Sequence, residues 1–448
     1  VSGIWRETRR NGPEAIVEGS FGGSRPVESW VAVMFCESIG IRSLDYCSRG
    51  SQMVRRFILA MFALIAMVLG GVVVSTPAGA AVDSAVVVPT PITANPNTLS
   101  SVSCVSASWC VAVGNSDTGS AIETLIELWN GTSWSIVSSP NAGVLDDKLR
   151  SVSCVSTSWC VAVGETNTGS AIETLIEVWN GTSWSVVSIS SPGGTDDKLR
   201  SVSCVSTSWC VAVGETFTGS FYETLAMLWN GTSWSVALTP NVGTSENVLR
   251  SVSCVSTLWC VAVGYAYTGL ANETLAMAWN GSSWLVVVSP NASASNDQLN
   301  GVSCVSSSWC IAVGQTGDAT TTLVESWNGS SWSIMASPNF GNTVLEAVSC
   351  TTSTSCVAVG FLSPSFVREM LVQAWDGNSW SIVENPPSIG VPSRLSSAAC
   401  VSTSWCVAAG FMGLPDETLV VSLTGPVPPS TTTTTTGSSD PVVPVFTG

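Results

Sequence analysis

The stretch LRSVSCVSTSWCVAVGETNTGSAIETLIEVWNGTSWSVVSISSP, Leu149 to Pro192, decides the fold, because the chain repeats it seven times. Paired cysteines mark the beat: Cys104/Cys110, Cys154/Cys160, Cys204/Cys210, Cys254/Cys260, Cys304/Cys310, Cys350/Cys356 and Cys400/Cys406. A self-similar period of about 50 residues is the signature of stacked supersecondary units.

Inside the quoted unit the apolar period is two. Leu149 to Cys154 alternates apolar and polar residues and predicts a short strand. Cys160 to Gly164 (CVAVG) is a second, small-residue strand, Thr174 to Trp179 a third and Trp184 to Val187 a fourth. Asn180-Gly181 lies between the last two, and Asn-Gly between apolar runs is a strong hairpin signal. Four short antiparallel strands with glycine-centred turns make a propeller blade. The expected fold is therefore all-β, a seven-bladed β-propeller of four-stranded antiparallel blades.

The seventh unit lacks its WNGTSW segment and so its fourth strand. Val86 to Val88 precedes the first unit by the spacing at which WSIV precedes the second. This N-terminal strand is expected to pair with Glu417–Leu423 and close the ring, removing an open sheet edge.

The cysteines of each unit flank the turn between its first two strands. Residues directly opposed there have Cβ atoms about 4.5–5.5 Å apart, near what a disulfide requires. One disulfide per blade is expected, each worth about 2–2.5 kcal/mol on the chain-entropy estimate. Such regular pairing belongs to an oxidising compartment. Two further cysteines, Cys36 and Cys47, lie upstream of the repeats.

Export is also written at the amino-terminal side. Met53-Val54-Arg55-Arg56, the apolar run FILAMFALIAMVLGGVVV and Ala78-Gly79-Ala80 compose a signal peptide over 53–80. An uncleaved anchor is the alternative, since Phe57 to Val74 is long enough to span a membrane. Residues 1–52 read as an unstructured or over-read upstream segment, 84–424 as the propeller and 425–448 as a Pro/Thr-rich disordered tail. The expected location is secreted or at the cell surface.

Charge and composition exclude several functions. The formal net charge is −16, and from Ala81 onward seven basic residues stand against 25 acidic ones. That sign repels phosphate backbones, so no nucleic-acid partner is expected, and a membrane contact only through the signal segment. The chain has no histidine. This removes the commonest general base and metal ligand, and no metal or cofactor is expected. The recurring tryptophans, such as Trp109, Trp129 and Trp134, are expected to fill the wedges between blades rather than to bind sugars.

The strand ending in glycine, followed by E-x-W-N-G-x-S-W, resembles the kelch-type blade of the galactose oxidase central domain. It is also similar to the Asp-box propellers of sialidases and photosystem assembly factors, most nearly at Asp376-Gly377-Asn378-Ser379-Trp380. The resemblance implies a propeller and leaves activity open. A copper oxidase is ruled out by the absent histidines.

Loops on a rigid scaffold usually carry function. The cysteine turns and Asn-Gly turns share one face and hardly vary between units. The opposite face carries loops that vary in length and chemistry. Candidate ligand-binding residues there are Arg150, Arg200 and Arg250, before the first strands, and Glu165, Glu215, Tyr265, Phe361 and Phe411, after the V-G strands. Three arginines at one mouth resemble a sialidase carboxylate clamp, while local salt bridges to Asp146, Asp147, Asp196, Asp197 or Glu246 are the plainer reading. No catalytic residue is assigned. A glycosidase would have to draw on Tyr222 or Tyr265 with Glu215 or Glu223. The expected function is a monomeric, non-catalytic binding or scaffold module for an extracellular glycan or protein. A sialidase-like glycosidase or lyase and a structural surface-layer protein are the alternatives.

Overall fold

In each unit the second strand is buried on both sides, and its two-residue period sorts the side chains. Val161 and Val163 pack towards the following blade, while Cys160 and Ala162 pack towards the preceding one. A computed structural model describes residues 82–91, 96–189, 192–317, 321–363, 367–383 and 390–425. All of these belong to one compact unit, Pro77–Gly448. The expected signal peptide, upstream segment and tail lie outside the described residues.

The described strands form seven four-stranded antiparallel sheets. Blade two is typical, with strands Asp147–Ser156, Trp159–Asn167, Ile172–Trp179 and Trp184–Val186 from the axis outwards. The first three run longer than their apolar cores because polar residues at their ends also enter the ladder, as in the pairs Asp147 with Thr166 and Glu165 with Thr174. Blade seven takes Ser393–Ser402, Trp405–Met412 and Glu417–Thr424 from the end of the repeats and Ser84–Val88 from their start. Val86 pairs with Ser422 and Val88 with Val420, so the ring closes as the spacing predicts.

All seven cysteine pairs are disulfides, each within one blade: Cys104–Cys110, Cys154–Cys160, Cys204–Cys210, Cys254–Cys260, Cys304–Cys310, Cys350–Cys356 and Cys400–Cys406. Their Cα atoms are 4.0–4.1 Å apart. The two halves of a pair differ in a way that the turn-flanking position does not disclose. Cys110, Cys160, Cys210, Cys260, Cys310, Cys356 and Cys406 are buried, only 0–2% exposed, whereas their partners in the first strand are half-buried. The reason is the period of two. Each second-strand cysteine shares a side with the alanine two residues on, as Cys110 does with Ala112, and packs against valines of the preceding blade. The staples thus reach into the core between blades.

The Asn-Gly turn on the same face is held by its asparagine. Asn180 Oδ1 accepts from the backbone N–H groups of Thr182 and Ser183, and Gly181 adopts φ 96°. The tryptophans lie in the wedges between blades: Trp109 packs in the cluster joining blades one and two, and Trp129 and Trp134 in the one joining seven and one.

A contact between blades emerges that the motif reading did not foresee. The innermost strand of each blade leaves backbone N–H groups facing its neighbour. Serines of the S-V-S-C run satisfy them: Val202 N–H donates to Ser151 Oγ at 3.2 Å and Cys204 N–H to Ser153 Oγ at 3.1 Å. The same bond crosses the closure, from Val102 N–H to Ser397 Oγ. Where Gly301 or Ala347 replaces the first serine, only the second bond of the pair remains among the described residues, from Cys350 N–H to Ser303 Oγ and from Cys400 N–H to Ser349 Oγ. Each such bond contributes about 0.5–1.5 kcal/mol and leaves fewer buried donors orphaned.

Candidate functional site

The innermost strands each carry two bulges, one beside the cysteine turn and one at the axial end. In blade two Leu149 pairs with Gly164 and Ser151 with Val163, so Arg150 is the extra residue. A bulge re-aims a side chain out of the ladder. Repeated around the ring, it turns Ser100, Arg150, Arg200, Arg250, Asn300, Glu346 and Ser396 to the axis, where all seven line a depression of about 280 Å³. The glycine opposite is obligatory, because a Cβ on Gly164 would sit 1.8 Å from the Lys148 carbonyl oxygen. The V-G step and the bulge are one device. The disulfides stand apart from this site: no cysteine lines the depression, and Cys110, Cys160, Cys210, Cys260, Cys310, Cys356 and Cys406 are core side chains that no ligand could reach.

The structure thus brings the predicted arginines together at one mouth and gives two of them carboxylate partners other than the neighbouring acids. Arg150 forms a forked pair with Glu165 (Nε to Oε2 3.0 Å), and Arg200 one with Glu215 (2.6 Å). Burial works against the Arg200 charge, but the Glu215 hydrogen bonds together with the nearby charges of Glu215 and Glu165 outweigh it, and the Arg200 pKa rises. The acids named beforehand serve the loops instead. Asp147 accepts from Gly143 N–H, and Asp196 binds Lys198 Nζ and the Tyr222 hydroxyl.

Blade four breaks the pattern. Where blades two and three place Glu165 and Glu215, it places Tyr265, whose ring lies 5.1 Å from the Arg250 guanidinium. Arg250 has a long contact to Gln298 Oε1 at 3.4 Å, its Nε is buried without an acceptor, and no carboxylate pairs with it among the described residues. Burial raises the Tyr265 pKa, opposed by the cation beside it.

Phe361 is likewise a platform, with Arg368 at 5.0 Å and Arg394 at 5.2 Å from its centroid. Phe411 is half-buried and pairs with Arg394 in the ladder. Arg394 is a mouth residue that repeat reasoning missed. It stands at the position of Lys148, not of Arg150, and reaches Glu346 at 2.8 Å. Asn300 donates to Leu345 O of the next blade. No group of three or more metal-ligating side chains occurs, and no helix is long and apolar enough to cross a membrane, among the described residues.

The fold and site define a class: a disulfide-stapled seven-bladed β-propeller with arginines at one mouth of its axis. Among solved structures it is similar to YCF48 bound to D1 peptide, with TM-score 0.50 and 12% identity over 77% of this chain and 99% of that one. It is also similar to the fucose-specific lectin from Aleuria aurantia, with TM-score 0.43 and 15% identity over 67% and 99%. At such identities the likeness shows the propeller fold alone. No family model and no curated protein matches the chain.

Proposed function

We propose that the protein is an exported, non-catalytic binding module that holds an anionic group of a glycan or protein ligand at the arginine-bearing mouth. One observation carries this reading. Blade four keeps its axial arginine and replaces the matching glutamate by Tyr265, so Arg250 is a half-buried guanidinium stacked on a ring and lacking a counter-charge. Such a group is a ready partner for a carboxylate or sulfate. Seven disulfides fit the oxidising compartment that export implies. YCF48 holds a D1 peptide on a propeller of similar fold, so the scaffold is compatible with a peptide ligand.

The glycosidase alternative finds less support. Glu215 is committed to Arg200, and the Tyr222 hydroxyl donates to Asp196, a bond that pushes its pKa up to about 12. A tyrosine held in that way is a poor nucleophile.

The test is binding to an array of sialylated, sulfated and neutral glycans alongside acidic and basic peptides. Anionic members should bind, and both Arg250→Gln and Tyr265→Glu should weaken them at least tenfold. The second variant rebuilds the internal ion pair of blades two and three without removing the arginine. Anionic ligands indifferent to both changes would overturn the proposal.

A further inference from the structure

The near-identity of the units makes their few departures informative. On the loop face, blade two carries Asn167, Ser170, Ala171 and Ile172; blade three carries Phe217, Phe221 and Tyr222 at three of these places, and blade four Tyr267 and Leu270 at two. Together with Tyr265 they put an aromatic cluster in these two adjacent blades, whereas Phe361 and Phe411 stand one each in blades six and seven. The scaffold beneath them, SVSCVST and WCVAVG, is unchanged.

These residues flank the loop between the two blades. The loop linking blades three and four ties them together: Tyr222 N–H donates to Ser245 O (3.1 Å), Tyr267 N–H to Glu246 O (2.8 Å), and Thr244 N–H to Tyr267 O (2.8 Å). Phe217 and Tyr222 pack with centroids 5.0 Å apart and rings tilted by 51°, and Tyr267 donates its hydroxyl to Gly269 O. Standing out from this base are Leu270, 96% exposed, Val242, 51%, and Phe221, 48%. The patch runs into the mouth, because Tyr265 lies two residues from Tyr267 on one strand and stacks on Arg250.

Building on the proposed anion-binding mouth, we infer that blades three and four form a docking patch for a polypeptide segment that offers one carboxylate to Arg250 and an apolar side chain to Phe221 and Leu270. Exposed aromatics beside an arginine are the composition of protein-binding hot spots. A hydroxyl-rich sugar gains little from Leu270 and Val242, which offer neither a ring face nor a hydrogen bond. Charge sharpens the choice. Arg250 has no carboxylate partner among the described residues, while Glu223 and Glu273 stand on the third strands of blades three and four and Glu246 in the loop between them, so a segment with one acidic group and a basic residue near it is attracted, and a polyacidic one is repelled.

Panning a random dodecapeptide phage library on the intact chain tests this, with enriched peptides synthesised and titrated by fluorescence anisotropy. Enriched sequences should pair one Asp, Glu or free carboxyl with a large apolar residue and carry no net negative charge. Phe221→Ser and Leu270→Ser should each weaken binding by tenfold or more. Val144→Ser, an exposed apolar side chain in the loop joining blades one and two, should leave it unchanged. Both patch residues are solvent-facing, and unchanged melting curves would separate lost contact from lost fold. Peptides that lose affinity with Arg250→Gln but keep it with Phe221→Ser and Leu270→Ser overturn the patch and leave the mouth standing. Indifference to all three variants sinks both, and a library that yields no binder, or only polyacidic ones, overturns the patch.

Discussion

Glu127, Glu177 and Glu325 occupy one repeat position in the third strand and are fully buried, where blades three and four carry Met227 and Met277. No cation pairs with them among the described residues. Burial raises their pKa values to about 7, 8 and 7, with Thr418, Ser139 and Ser289 hydroxyls acting the other way and Asp147 and Asp297 adding to the rise for Glu177 and Glu325. Their ordinary value is 4.5, so between that pH and about 7–8 the folded state holds protons that the unfolded chain has released. Stability therefore falls as pH rises through this window, by roughly 3 kcal/mol for Glu127 and Glu325 and about 5 kcal/mol for Glu177. Thermal melting followed by circular dichroism should give a higher Tm at pH 5 than at pH 8. The triple change Glu127→Met, Glu177→Met and Glu325→Met, borrowed from blades three and four, should raise the pH 8 value and flatten the dependence. Equal melting at the two pH values in the parent protein would refute the assignment. The signal was legible: Glu177 shares the period of two with Leu175 and Trp179 and so had to face a neighbouring blade.

At the scale of the element, the bulged inner strand explains which parts of the site the repeats could disclose. Strand order, hairpin turns and cysteine staples follow from local periodicity and spacing, which any single unit displays. The arginines were found because they hold one repeat position. Their partners were not, because Glu165 meets Arg150 only after the bulge slips the register by a residue, a two-strand event invisible in either strand alone. Arg394 escaped for the complementary reason, entering the mouth from a different register. The bulge also makes a sharp prediction. Gly164→Ala would drive a methyl group into the Lys148 carbonyl, so the strand pair must separate or the bulge must vanish. A loss of at least about 2–3 kcal/mol is expected in denaturant titration. Gly119→Ala, which meets no atom within 4 Å but has φ 80°, should cost about 1 kcal/mol from backbone strain alone. A Gly164→Ala protein no less stable than Gly119→Ala would contradict the packing described here.

For the whole molecule, the decisive joint is the one between the two ends of the repeat array. Ser84–Val88 is the outermost strand of blade seven, and Ala85 and Val87 pack against the cluster shared with blade six. Without it, Glu417–Thr424 becomes an open edge of apolar residues, the arrangement that recruits strands from other chains. Deleting 84–88 should lower Tm by on the order of 5 °C or more, given the few degrees that each kcal/mol moves a domain of this size. It should also shift the protein towards dimers or aggregates in size-exclusion chromatography. The lesion has a built-in remedy, because the missing strand contributes main-chain pairing and a few side-chain contacts, those of Ala85, Val87 and Val88 with the core and of Ser84 with Thr424. A synthetic peptide spanning 82–91 should dock on the exposed edge and restore both Tm and the monomer peak, as strand addition does elsewhere. The same peptide with Val87→Asp would place a charge against the shared cluster and should fail to do so. If the deletion left melting and association unchanged, the ring would not depend on this joint, and the two termini would be free to serve another purpose.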